Sequence, residues 1–99
     1  MVADWTFLTN HAHVLLCVSR DPGARLRDIA AAVGITEGAA QRIVTDLVEA
    51  GYLTREREGR RNRYELRNDL PLRHPLEHDH RIGEILAVLR PRPEAALGG

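Results

Sequence analysis

Two short apolar periodicities separated by a single glycine constrain this chain more than any other feature in it. Leu26, Ile29, Ala30 and Val33 recur at i, i+3, i+4 and i+7, the spacing of one face of a helix. Gly34 follows at once, a residue that takes left-handed backbone geometry at a helix end without a Cβ penalty. Thr36 can then accept from the first free amides of a new helix, and Ala40, Ile43, Val44, Leu47 and Val48 carry a second apolar stripe up to Gly51. The pattern predicts two helices joined by a tight Gly-Ile-Thr turn. Ala30 is small where the helices must approach, and Ile35 with Ile43 fills the space between them.

The flanks add elements of two kinds. Leu8, Ala12, Leu15 and Leu16 follow helical spacing, with Val14 and Val18 on the neighbouring face, which predicts a first helix over Leu8 to Ser19 buried on two sides. Asp21-Pro22-Gly23 ends it in a turn. After Gly51, Tyr64 and Leu66 alternate with charged residues, and Gly59 interrupts the run, which reads as a β-hairpin with its tip at Glu58 to Asn62. Asn68 to Pro75, with two prolines, reads as a connector. Ile82, Ile85, Leu86 and Leu89 then share a face of a last helix that Pro91 and Pro93 end. The expected fold class is α+β, mainly α. Its expected organisation is residues 1–70, then a connector and helix over 71–90, then a frayed tail over 91–99.

Composition narrows the function. Ninety-nine residues allow one small core, and a chain this short buries only about two-thirds of its unfolded surface, which favours oligomerisation over a self-sufficient catalytic pocket. No apolar run approaches the roughly 18 residues of a membrane span, and the N-terminus lacks the charged-then-apolar order of a secretion signal. The expected location is cytoplasmic, and the single cysteine, Cys17, fits a reducing compartment. There is no phosphate-cradling glycine loop, nucleophile elbow or carboxylate pair, so neither catalysis nor a cofactor is expected.

Net charge is zero, so distribution decides. All 14 basic residues are Arg, a usage that GC-rich coding and selection for guanidinium chemistry explain equally well. Six of them (55, 57, 60, 61, 63 and 67) lie in the 13 residues from Arg55 to Arg67 against three Glu, a local charge of +3 on the hairpin. Two short helices with a polar outer face on the second meet the requirement for presenting a helix to a DNA major groove. In the stretches Leu26 to Thr36, Leu47 to Arg55 and Gly59 to Tyr64, the chain resembles winged helix-turn-helix regulators of the MarR and ArsR kind, over about residues 8–67. The resemblance implies that Arg27 to Val33 is the supporting helix, Glu37 to Ala50 the recognition helix and Glu58 to Asn62 the wing. It also implies a homodimer acting on pseudo-palindromic double-stranded DNA.

The inner stripe leaves Glu37, Gly38, Gln41, Arg42 and Thr45 outward on the recognition helix. Gln41 and Arg42 are the base-reading candidates, since Gln pairs with adenine and Arg with guanine, while Thr36 and Thr45 suit phosphate or a thymine methyl. Arg57, Arg60, Arg61 and Arg63 complete the expected DNA-binding set, with the wing in a minor groove or on phosphates. About three phosphate-bound Arg per subunit of a dimer give a charge count of about six and a steep salt dependence. Glu37, Asp46 and Glu49 against Arg42 leave the recognition helix at −2, which opposes DNA unless the acids turn away. The same acidity fits a second reading, a winged helix that meets a protein.

For dimerisation the expected residues are Ile82, Ile85, Leu86 and Leu89 of the last helix, covered by Leu8, Val14 and Val18 of the first. A metal-responsive, ArsR-like sensor is the third reading. Its candidate ligands are His13 and Cys17, at i and i+4, and His78 and His80, although this spacing lacks the specificity of a paired Cys-x-x-Cys.

Overall fold

The computed structural model describes residues 4–91, which form two compact units, one ending at Arg67 and the other starting at Asn68. In the first unit the chain order is α1 (Asn10–Arg20), α2 (Leu26–Val33), α3 (Glu37–Glu49), β1 (Leu53–Glu58) and β2 (Arg61–Leu66). This is the helical, hairpin-bearing fold expected from the sequence.

α1 starts at Asn10, later than Leu8, because Thr9 takes the N-cap position and its hydroxyl accepts from the Ala12 amide. Its Val14, Leu15 and Val18 are buried where it packs on α2, α3 and β2. α2 stops at Gly34, whose φ of 88° and ψ of 35° lie in the left-handed region. There the amides of Gly34 and Ile35 both donate to the Ala30 carbonyl, at 2.8 and 3.0 Å, satisfying a helix end that would otherwise lack partners. α3 opens under the Thr36 hydroxyl, which accepts from the Ala39 amide at 3.1 Å, and buries Ala40, Ile43, Val44 and Leu47. Val48 is half-buried at the edge of that stripe. The most enclosed large side chains are Ile29, Leu53, Val14, Val18 and Val44, each contributing roughly 1.5–3 kcal/mol of burial.

The hairpin pairs Leu53 with Leu66 at its base and Glu58 with Arg61 at its end, so its loop is only Gly59-Arg60. Gly59 has φ +63° and Arg60 has no positive φ, the pattern of a type II′ turn with glycine at its first central position. The expected five-residue tip is thus corrected: Glu58, Arg61 and Asn62 belong to the strands. The free edge of β2 is covered by the α1–α2 turn, since the Tyr64 amide donates to the Pro22 carbonyl at 3.1 Å.

The second unit is built on a short pairing of its two arms. The Leu72 amide donates to His80 O, Ile82 to Leu70 O and Gly83 to Asn68 O, all at 2.9–3.0 Å. That pairing draws residues 68–70 into this unit. α4 (Ile82–Val88) follows, with the Glu84 carboxylate accepting from the Arg81 amide at 2.7 Å. A Cβ at Gly83 would stand 2.8 Å from the Asn68 carbonyl oxygen, so this position takes no side chain. Leu89 caps α4 instead of extending it. The expected tail lies, over residues 92–99, outside the described residues.

Candidate nucleic-acid interface

Burial of Ala40, Ile43, Val44 and Leu47 fixes the rotation of α3, and the remaining side of the helix follows from it. Glu37, Gly38, Gln41 and Arg42 are exposed and Thr45 is half-buried, so the five residues expected to face outward share the uncovered side. Thr36 is exposed too, with its hydroxyl engaged as the helix cap. A Cβ at Gly38 would meet only the Thr36 hydroxyl at 4.0 Å, so the first turn of α3 is bare there.

The acids of α3 divide into two kinds. Asp46 Oδ2 lies 2.9 Å from His11 Nε2 of α1, with both side chains about half exposed. The pair turns one of the three carboxylates toward α1. Glu37 and Glu49 are exposed, and their charge remains on the helix.

The strand register sorts the charges of the wing by face, because alternate residues of a strand point to opposite sides. Leu53, Arg55 and Arg57 share one face with Leu66, Tyr64 and Asn62. Thr54, Glu56 and Glu58 share the other with Glu65, Arg63 and Arg61. All three wing carboxylates therefore lie on one face, and the opposite face carries Arg55 and Arg57 without an acid. Arg63 is on the acidic face and sits 3.8 Å from the Glu58 carboxylate. The Nε of Arg57 donates to Gly59 O at 3.3 Å, which holds its side chain along the tip. Arg61 is drawn back from the tip: its Nη2 donates to the carbonyl of Gly23 in the α1–α2 turn. Arg60 is left as the single cation of the two-residue loop.

Of the expected DNA-binding residues, then, Glu37, Gln41, Arg42 and Arg60 are the exposed groups without a side-chain partner among the described residues, while Arg57, Arg61 and Arg63 are engaged. Sequence reasoning missed two residues. Arg55 is exposed on the acid-free face of the wing. Arg25 occupies the N-cap of α2 with no side-chain hydrogen bond to the helix. The signal for Arg25 was present, since an Arg stands immediately before Leu26 where a Ser, Thr, Asp or Asn cap is the rule.

The residues expected at a dimer contact separate in the same way. Val14 and Val18 are 0% exposed, so they are core residues of the first unit and no partner subunit can reach them. Leu8, Ile85, Leu86 and Leu89 are half-buried and Ile82 is buried. Phe7, Leu76 and Val88 are large apolar side chains at 92%, 87% and 81% exposure, and Trp5 meets Phe7 edge to face with ring centroids 5.0 Å apart.

Among the described residues no group of three or more His, Cys, Asp or Glu could hold a metal ion. The four candidate ligands are spread over both units: His13 Nδ1 lies 3.1 Å from Asn10 Oδ1, and His80 Nδ1 lies 2.9 Å from the Glu84 carboxylate. Burial pushes the Cys17 thiol above its ordinary range, with nearby Arg20 opposing the shift, and a protonated thiol is a poor ligand. His78 is exposed. Among the described residues no helix is long and apolar enough to cross a membrane.

Two helices joined by a short glycine turn, a polar free side on the second and a two-stranded hairpin behind it define a winged helix-turn-helix protein. The profile of the MarR family matches residues 6–63, more than half of the chain. The chain belongs to the MarR family and is a DNA-binding transcription regulator. No curated protein matches it.

Proposed function

We propose that the protein binds double-stranded DNA as a homodimer, with α3 in the major groove and the wing on the adjacent minor groove or its phosphates. The observation that carries this reading is the division of α3 into a fully buried apolar side and a free side bearing Gln41 and Arg42. Both side chains can form paired hydrogen bonds to a base edge, Gln to adenine and Arg to guanine. The wing supplies unpaired guanidinium charge at Arg60 and Arg55, and these give affinity with little sequence preference. Large apolar side chains at high exposure, Phe7 and Val88 among them, support a second copy as the cover. A two-fold dimer places two recognition helices on half-sites about one helical turn apart.

The test is selection of duplexes from a random pool by the purified protein, followed by fluorescence anisotropy. Arg42→Ala and Gln41→Ala should each reduce discrimination between selected and random duplexes by about 1–3 kcal/mol. Arg60→Ala should weaken both duplexes equally. An unchanged discrimination ratio in both α3 variants would remove α3 as the reading element, and a concentration-independent monomer in sedimentation would remove the dimer.

A further inference from the structure

A cleft of about 370 Å³ lies in the first unit between the α1–α2 turn and the wing. Arg25 lines it from the turn side, and Arg60, Arg61, Asn62 and Tyr64 line it from the hairpin. Three arginines thus line one concavity, with no acidic residue in its lining among the described residues. Arg25 and Arg60 have no ion pair among the described residues. The nearby Asp21 carboxylate is occupied locally, accepting from the Gly23 amide at 3.2 Å.

The cleft has a fixed wall. Arg61 donates to Gly23 O, and the Tyr64 amide donates to Pro22 O, so two hydrogen bonds tie β2 to the turn that carries Arg25. Residues far apart in sequence are held at a set spacing before any ligand arrives, which lowers the ordering cost of binding. The free N–H groups of Arg61 remain available, since a guanidinium carries more donors than this one bond uses. Guanidinium forks match tetrahedral phosphate oxygens better than they match a neutral ligand.

We propose that this cleft is a phosphate clamp that seats one phosphodiester of the duplex backbone between Arg25 and Arg60, with Arg61 as the positioning residue that holds wing and turn together. The clamp rests on the DNA-binding reading and adds an anchor built from residues other than the base-reading side chains of α3. It fixes the register of the protein on the duplex and carries no sequence preference.

The salt dependence of duplex binding tests it, measured by anisotropy for the wild type, Arg25→Ala and Arg27→Ala. Releasing one neutralised phosphate lowers the slope of log K against log salt by about 0.9. Arg25→Ala should lower it by up to that amount for each bound subunit, while Arg27→Ala, on α2 and outside the cleft, should leave it unchanged. Circular dichroism melts confirm that the variants are folded. Equal slopes for Arg25→Ala and the wild type overturn the clamp and leave DNA binding intact. Absence of duplex binding by the wild type overturns the DNA-binding reading and the clamp with it.

A second arm follows the side-chain Nε–H signals of Arg25 and Arg60 by NMR as duplex, or inorganic phosphate alone, is added. Shifts that saturate with duplex and respond only weakly to inorganic phosphate support the backbone as the source. Saturation by inorganic phosphate with no response to duplex overturns it and assigns the cleft to a free phosphorylated ligand.

Discussion

Replacing Gly34 with alanine tests whether the α2–α3 turn is held by backbone conformation. At φ 88° and ψ 35° an added Cβ crowds the backbone, which costs about 1–2 kcal/mol for an L-residue in the left-handed region. Alanine also narrows the unfolded ensemble, which returns about 0.4–1 kcal/mol. The hydrogen bonds from Gly34 and Ile35 to Ala30 O can survive, so the net loss is about 1 kcal/mol. For a domain of this size that lowers the Tm by about 4–8 °C in a far-ultraviolet circular dichroism melt. Gly34→Asn should lose less, because Asn tolerates this region better than alanine. Since the turn sets the direction of α3, duplex affinity should fall together with stability. A Gly34→Ala protein that melts at or above the wild-type temperature would refute the conformational argument.

Asp46→Asn removes a negative charge from α3 and should raise duplex affinity at low salt about two- to fivefold, the range of an exposed charge interaction, with the gain disappearing at high salt in the same anisotropy assay. In the second unit, the Glu84 hydrogen bond, then the charges of Glu84 and Asp79, raise His80 above its ordinary 6.5, while the His80 hydrogen bond and the Arg81 amide hold Glu84 below its ordinary 4.5. The His80 contribution is complete below 6.5 and is lost as pH rises through its raised value, and the Glu84 contribution is complete above 4.5 and is lost as pH falls through its lowered value. The helical Cα shifts of α4 should therefore be largest between 4.5 and 6.5 and decline on both sides. Gly83→Ala places a Cβ 2.8 Å from Asn68 O, and hydrogen exchange should show weaker protection at Leu72 and Ile82 with the first unit unchanged.

The parts of this fold that were legible in the sequence are those fixed by neighbours. The period of Leu26, Ile29, Ala30 and Val33, the stop at Gly34 and the cap at Thr36 are local signals, and α2 and α3 begin and end where they point. The rotation of α3 was equally readable, because four buried residues leave only one side free. What was not legible depends on interactions between distant residues. Arg61 reaches Gly23 across 38 positions and His11 reaches Asp46 across 35, and no local spacing announces either. Val14 and Val18 read as a second apolar face open to a partner, but α2, α3 and β2 close around α1 from several directions. The wing tip differs from expectation for another reason. Asn62 resembles a turn residue, yet a II′ turn needs only Gly59 at its first position, so the strands run on to Glu58 and Arg61.

Whether α3 and the wing engage one duplex together is tested most directly by an amide NMR titration of the full chain with a duplex selected from a random pool. Gln41 and Arg42 on α3 and Arg60 on the wing should shift together, with one apparent Kd, while Ile29, Val44 and Leu53 of the core stay in place. Shifts confined to one of the two surfaces, or two surfaces that titrate with different affinities, would contradict a single duplex spanning both.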